Sequence, residues 1–164
     1  EGMQTIAYWM MGSLAGAQWG ELAVIAPIIV ASILFFWTQS RVLNLMLLGD
    51  ESAITMGTDL HAYRQWYLLI SSLIVGFAVY SAGMIGFVGL IVPHVIRMFT
   101  GPDHKRLLPV AALVGAIFLV VADGLCRVII PHTELPIGIL ISMIGAPSFI
   151  YLMIKKTYGF GGSD

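Results

Sequence analysis

The chain has 164 residues, 59% of them apolar and only 10% charged, with a net charge of −1. Soluble domains carry about 25% charged residues, and a chain this short has too little interior to hide so much apolar surface. A single soluble domain is therefore excluded, bulk charge gives no reason to expect a nucleic-acid partner, and the sequence reads as an integral membrane protein. The single cysteine, Cys126, rules out an intrachain disulfide or a cysteine-cluster metal site, and reads as a small buried apolar residue. The chain opens at Glu1 without a charged-then-apolar leader, so no signal peptide is visible and a fragment of a longer polypeptide is expected.

In chain order, residues 5–22 (TIAYWMMGSLAGAQWGEL) set Tyr8, Trp9 and Trp19 among small residues, the pattern of an interfacial helix. Residues 22–38 are uncharged for 17 positions, with Pro27 one turn inside, and read as a first crossing. A polar loop, 39–65, follows. Residues 65–96 then run for 32 positions without Asp, Glu, Lys or Arg. A helix crosses about 30 Å of hydrocarbon in ~20 residues, so this run is too long for one crossing and short for two. Further on, 107–122 is uncharged and continues past Asp123 and Arg127 to Ile130, and 135–154 is uncharged but interrupted by Gly145-Ala146-Pro147.

Charge placement divides the long run. Splitting it near Ser81-Ala82-Gly83 gives five crossings at about 22–38, 66–82, 86–99, 107–130 and 136–154. Arg41, Arg64, Arg97, Lys105, Arg106, Lys155 and Lys156 then share one side and only Arg127 takes the other. Without the split, the eight positive charges divide three against five. Cytoplasmic loops collect Lys and Arg, so the split is preferred. It puts residues 1–21 and the 131–135 turn outside and the C-terminus in the cytoplasm. The third crossing, about 14 residues with a proline, is too short to face lipid throughout; other helices or a cavity must enclose it. The tail 159–164 reads as flexible and polar.

Three groups of residues could carry chemistry. In the loop, Leu48-Gly49-Asp50-Glu51-Ser52-Ala53-Ile54-Thr55-Met56-Gly57 reads as a two-turn helix with Asp50 as N-cap, Glu51 favoured by the helix dipole and Gly57 as the stop. Its apolar side, Ala53, Ile54 and Met56, is either a docking surface or packs back on its own bundle. His94, beside Pro93 and three residues from Arg97, is either a proton carrier or metal ligand or, as we favour, a hydrogen-bonded structural residue. Asp123 and Arg127, four apart on one helix face, are either a self-neutralising pair with Arg127 snorkelling to water or an outer-rim cation for an acidic partner. The turn Gly101-Pro102-Asp103-His104-Lys105-Arg106 requires nothing beyond topology. No G-x-x-x-x-G-K-[ST] loop occurs, nor a nucleophile with a base at recognisable spacing. Any ATP hydrolysis therefore belongs to another chain.

Five stretches occur in one order: GFVGLIVPHVIR (86–97), GPDHKRLLP (101–109), ADGLCR (122–127), ELPIGI (134–139) and GAPSFIYLM (145–153). Together they closely resemble the permease subunits of type II ABC importers, the FecCD-type family that takes up iron-siderophores, haem and cobalamin. YWMMGSLAG (8–16) and LNLMLLGDESAITMG (43–57) extend the likeness over nearly the whole chain. The resemblance implies an all-α polytopic bundle, helices six to ten of a ten-helix permease that works as a dimer in the bacterial inner membrane. It implies three further partners besides lipid: an ATPase subunit that holds ATP and Mg, a second permease subunit, and a periplasmic substrate-binding protein. This chain itself would bind no cofactor. Gly49, Asp50, Glu51, Ala53 and Gly57 would form the ATPase-coupling segment, and Arg127 would meet the binding protein. Gly86, Gly89, Pro93, His94 and Arg97 would mark a structural signature helix. The competing expectation is an ion-coupled secondary transporter using Asp123 and His94 as a relay, and a third is a membrane anchor without transport.

Overall fold

The computed structural model describes residues 2–129 and 135–159, with the side chains of 156–159 left aside. The turn expected at 131–135, the start of the ELPIGI stretch, Lys156 and most of the polar tail therefore fall largely outside the described residues.

Among the described residues eight helices follow one another: α1 (Gly2–Met11), α2 (Trp19–Thr38), α3 (Ser40–Leu47), α4 (Asp50–Thr55), α5 (Leu60–Ala82), α6 (Val88–Thr100), α7 (His104–Ile129) and α8 (Ile137–Gly159). The fold is an all-helical polytopic bundle. α2, α5, α7 and α8 are each long and apolar enough to cross a membrane, and α6 is the shorter apolar helix among them. At 1.5 Å per residue its 13 residues reach only about 20 Å, short of a bilayer core of about 30 Å.

The long uncharged run breaks where the charge count divides it. α5 ends at Ala82, Gly83 takes φ 74, and the chain stays non-helical until Val88. That irregular backbone is covered at its start, where Ser13 N–H donates to the Ala82 carbonyl at 2.9 Å and Gly12, also at positive φ, lies against buried Gly83, whereas Met84 and Gly86 stay exposed. Phe87 then starts α6 from the left-handed region, φ 65, its carbonyl accepting from the Leu90 and Ile91 N–H groups. A non-glycine residue there costs energy. Phe87 is held by close packing against Gly145 of α8, where any Cβ would come within 2.6 Å of the Phe87 Cβ.

Three expectations need correcting. The amino-terminal helix stops at Met11 and does not run to residue 22, because Gly12 turns the chain at φ 75. Residues 40–47 form a helix, α3, that the loop reading did not contain. α8 continues through Gly145-Ala146-Pro147 without a break; the Ser148 hydroxyl donates to the Ile144 carbonyl beside the proline, and packing on α6 holds the turn together.

The core is small. Ala122 and Cys126 of α7 pack on Ile137 and Ile141 of α8, and a second cluster joins Val92 and Ile96 of α6 to Leu107 of α7. Cys126 is thus the buried apolar residue its sequence context suggests. Most other large apolar side chains stay exposed along the spans, where lipid or another chain must cover them.

Candidate functional site

Polar side chains concentrate at the end of the bundle that carries α3 and α4. Asp50 is not the N-cap of α4. Gly49 holds that position at φ 90, a value that suits glycine, and Asp50 is the first helical residue. Its carboxylate is drawn away to α5, where Arg64 Nη2 donates to Oδ1 at 2.7 Å and Nη1 to Oδ2 at 3.4 Å. The Arg64 hydrogen bond, then its charge, holds the Asp50 carboxyl below the usual carboxylate range. Gly57 does end the helix as its sequence suggests. At φ 81 its N–H meets the Ile54 carbonyl and the Thr58 N–H meets the Ala53 carbonyl, both at 2.9 Å, the paired bonds of a Schellman turn.

The apolar side of α4 is divided between its two expected roles. Ala53 is fully buried, whereas Ile54 and Met56 are about two-thirds exposed, as is Leu48 just before the helix. One residue seats the helix and the others face outward.

Two further ties fix the segment. Tyr67 Oη of α5 donates to Gln39 Oε1, between α2 and α3, at 2.8 Å. Asn44 of α3 reaches the turn between α6 and α7. Its Nδ2 donates to Asp103 Oδ1 at 2.9 Å, and its Oδ1 accepts the His104 backbone N–H at 2.9 Å and faces His104 Nδ1 at 2.7 Å. A backbone N–H only donates and an ionised carboxylate only accepts, so the amide has one orientation and His104 Nδ1 carries its proton. The Asn44 bond, followed by the Lys105 N–H, holds the Asp103 carboxyl below its usual range. Trp37 Nε1 at the end of α2 donates to the Lys105 carbonyl at 2.9 Å.

At the opposite end, Arg127 Nε donates to Asp123 Oδ2 at 2.8 Å. The arginine side chain is 60% exposed and the aspartate 21%, so the pair neutralises Asp123 while the guanidinium faces out. His94 is half-buried on α6 and, among the described residues, has no hydrogen-bond partner, so the expected structural bond is not found. Val92 of α6 lies against Gly115 of α7, which puts Asp123 some ten residues, or roughly 15 Å, along α7 from the level of His94. Those two groups cannot pass a proton directly. Gly86 and Gly89 bracket the start of α6, Pro93 lies inside it, and Arg97 sits in its last turn.

Sequence reasoning missed Asn44, Gln39 and Trp37. Each is an unremarkable polar or aromatic residue whose partner lies 28 to 68 positions away.

Helix lengths and apolar exposure together define a multi-pass helical membrane bundle. The chain belongs to the FecCD transport family, which it matches over residues 1–155. Hemin transport system permease protein HmuU of Yersinia pestis is 42% identical over 154 residues, covering 94% of this chain and 46% of that protein. Cobalamin import system permease protein BtuC of Halobacterium salinarum is 44% identical, over 89% of this chain and 39% of that one. Fe(3+) dicitrate transport system permease protein FecD of Escherichia coli is 42% identical, over 90% and 46% respectively. A solved structure, described as an inward-facing conformation of a metal-chelate type ABC transporter, superposes with a TM-score of 0.87. It is 35% identical, covering 94% of this chain and 50% of that one. The chain spans about half the length of the curated relatives it matches.

Proposed function

We propose that the chain is the C-terminal half of the membrane permease of an ATP-driven ABC importer for an iron-siderophore, haem or cobalamin. It works as a permease dimer in the bacterial inner membrane, with residues 1–21 on the periplasmic side and α3, α4 and the C-terminus in the cytoplasm. Hydrolysis takes place on a separate ATPase subunit that holds ATP and Mg. Family membership supports the class, and one observation carries the mechanism: α4 is tied to the bundle by Ala53 and the Asp50–Arg64 pair yet turns Ile54 and Met56 outward. An apolar pair on a short, anchored helix suits a protein cleft better than water.

ATP binding on the partner pushes α4 and its neighbour α3. The push passes to the spans, and the two permease subunits rock to open the path first to one side and then to the other. Arg127, on the opposite face, offers a cation to an acidic patch of the substrate-binding protein.

The test is uptake by vesicles containing the complete transporter, with radiolabelled ferric dicitrate, haemin and cobalamin supplied in parallel through the binding protein. ATP-dependent accumulation of one of them is expected. Accumulation that persists without ATP and collapses with the proton gradient would reject the proposal in favour of ion coupling.

A further inference from the structure

The coupling segment touches more of the bundle than the two helices that flank it in sequence. α3 packs on α7 as well as on α2 and α5, and its polar contact with the α6–α7 hairpin runs through one side chain, Asn44. That amide uses its donor on Asp103 and its acceptor on both the backbone and the ring of His104, all within 2.9 Å. Asp103 Oδ1 in turn accepts the Lys105 N–H at 3.1 Å, so the clasp also caps the first turn of α7 and fixes its direction. Beyond the clasp the hairpin is continuous. Gly101 N–H closes α6 on the Arg97 carbonyl, and Val92 and Ile96 pack on Leu107. A displacement of α3 is thus delivered to α6 and α7 as one body.

We propose that Asn44 is a positioning residue that makes the coupling segment and the α6–α7 hairpin move together, so that ATPase motion reaches the short helix α6 directly and not only through α2 and α5. The role rests on the reading of α3 and α4 as the ATPase-coupling segment. It requires two-sided hydrogen bonding, which an amide supplies and a carboxylate or methyl does not: a carboxylate at 44 would still accept from His104 but would repel Asp103.

The complete transporter is reconstituted with its ATPase and binding protein, and uptake is measured per ATP hydrolysed. The probe is whichever of ferric dicitrate, haemin and cobalamin the wild type accumulates. Asn44→Ala and Asn44→Asp are expected to lower that ratio about tenfold, a coupling change of ordinary size, while the ATPase still co-purifies because Ile54 and Met56 are untouched. Asp103→Asn keeps an acceptor toward Asn44 and is expected to stay near wild type. The double variant Asn44→Asp/Asp103→Asn lets the new amide nitrogen at 103 donate to the carboxylate at 44 but gives up the bond that Asp103 Oδ1 accepts from the Lys105 N–H, so it is expected to recover part of the lost ratio. A residue that served only as packing would not be rescued by that exchange. ATP-driven wild-type uptake with an unchanged ratio in Asn44→Ala, or a double variant no better than Asn44→Asp alone, overturns the inference. Wild-type vesicles that accumulate none of the probes under ATP reject the proposed function and this role with it.

Discussion

Gly83→Ala tests the break between α5 and α6. Gly83 sits at φ 74 and ψ −169, a region that only glycine enters freely, and forcing a side chain there costs about 1–3 kcal/mol. The added Cβ would also strike the Trp9 carbonyl oxygen and come within 2.9 Å of Gly12 Cα. Those are backbone atoms, which cannot swing aside as a side-chain tip could, so overpacking adds about 1–3 kcal/mol. Reduced freedom of the unfolded chain returns about 0.4–1 kcal/mol, leaving a net loss of roughly 3 kcal/mol. Thermal unfolding of the complete permease in detergent, followed by tryptophan fluorescence, should show Tm lowered by about 4–5 °C, the shift that roughly 3 kcal/mol gives in a chain about twice as long as this one. Gly124→Ala is the control. Gly124 lies inside α7 with no atom near its missing Cβ, and the change should be neutral or stabilise by up to about 1 kcal/mol. Equal Tm values for the two variants would show that neither the conformation nor the contact with Gly12 holds this junction.

Ala53→Leu should lift α4 off the bundle at a cost of about 1–3 kcal/mol, visible as faster hydrogen exchange over residues 50–57. Ile54→Ala with Met56→Ala, both on the exposed side, should change stability by less than about 0.5 kcal/mol while reducing co-purification of the ATPase. Ile141→Ala opens a hole at a site only 1% exposed and should cost about 2–4 kcal/mol, read as a lower Tm. The Asp103 carboxyl is held low in the folded state, so its contribution is complete above the ordinary carboxylate range and is lost as pH falls through the lowered value. Exchange over residues 103–107, corrected for intrinsic rates, should therefore stay flat from neutral into mildly acid solution and rise only below that range, whereas Asp103→Asn should show no such rise.

The parts of the fold legible in the sequence are those set by local sums. An uncharged run, a count of Lys and Arg on either side and a glycine at its centre were enough to divide residues 65–96. Gly57 announced a helix stop because only backbone at positive φ satisfies the last carbonyls of α4. What failed to show was what depends on a partner far along the chain. Asp50 looked like an N-cap because nothing local reveals that Arg64, 14 residues on, takes its carboxylate. α8 looked broken at Gly145-Ala146-Pro147 because the packing of Phe87 into the space above Gly145 is invisible to a reading of α8 alone. The positive φ of Phe87 itself carries no sequence mark, since nothing about a phenylalanine favours it.

The short helix α6 draws these observations together. A span of about 20 Å leaves backbone at membrane depth that lipid cannot satisfy, so both ends must be held by protein. At one end the hold is rigid and steric, with Gly83 against Gly12, Phe87 over Gly145, and the Phe87 carbonyl closing the first turn. At the other it is polar and directional, through Gly101 and the Asn44–Asp103–His104 contacts. Close-packed contacts of the first kind resist displacement because any shift creates overlap, whereas a hydrogen-bonded clasp transmits displacement along its bonds. On the proposed coupling role of Asn44, α6 would be held at the Phe87 end and driven, together with α7 on which Val92 and Ile96 pack, from the Asn44 end. A force arriving on α3 should tilt it about Phe87 rather than slide it through the bundle.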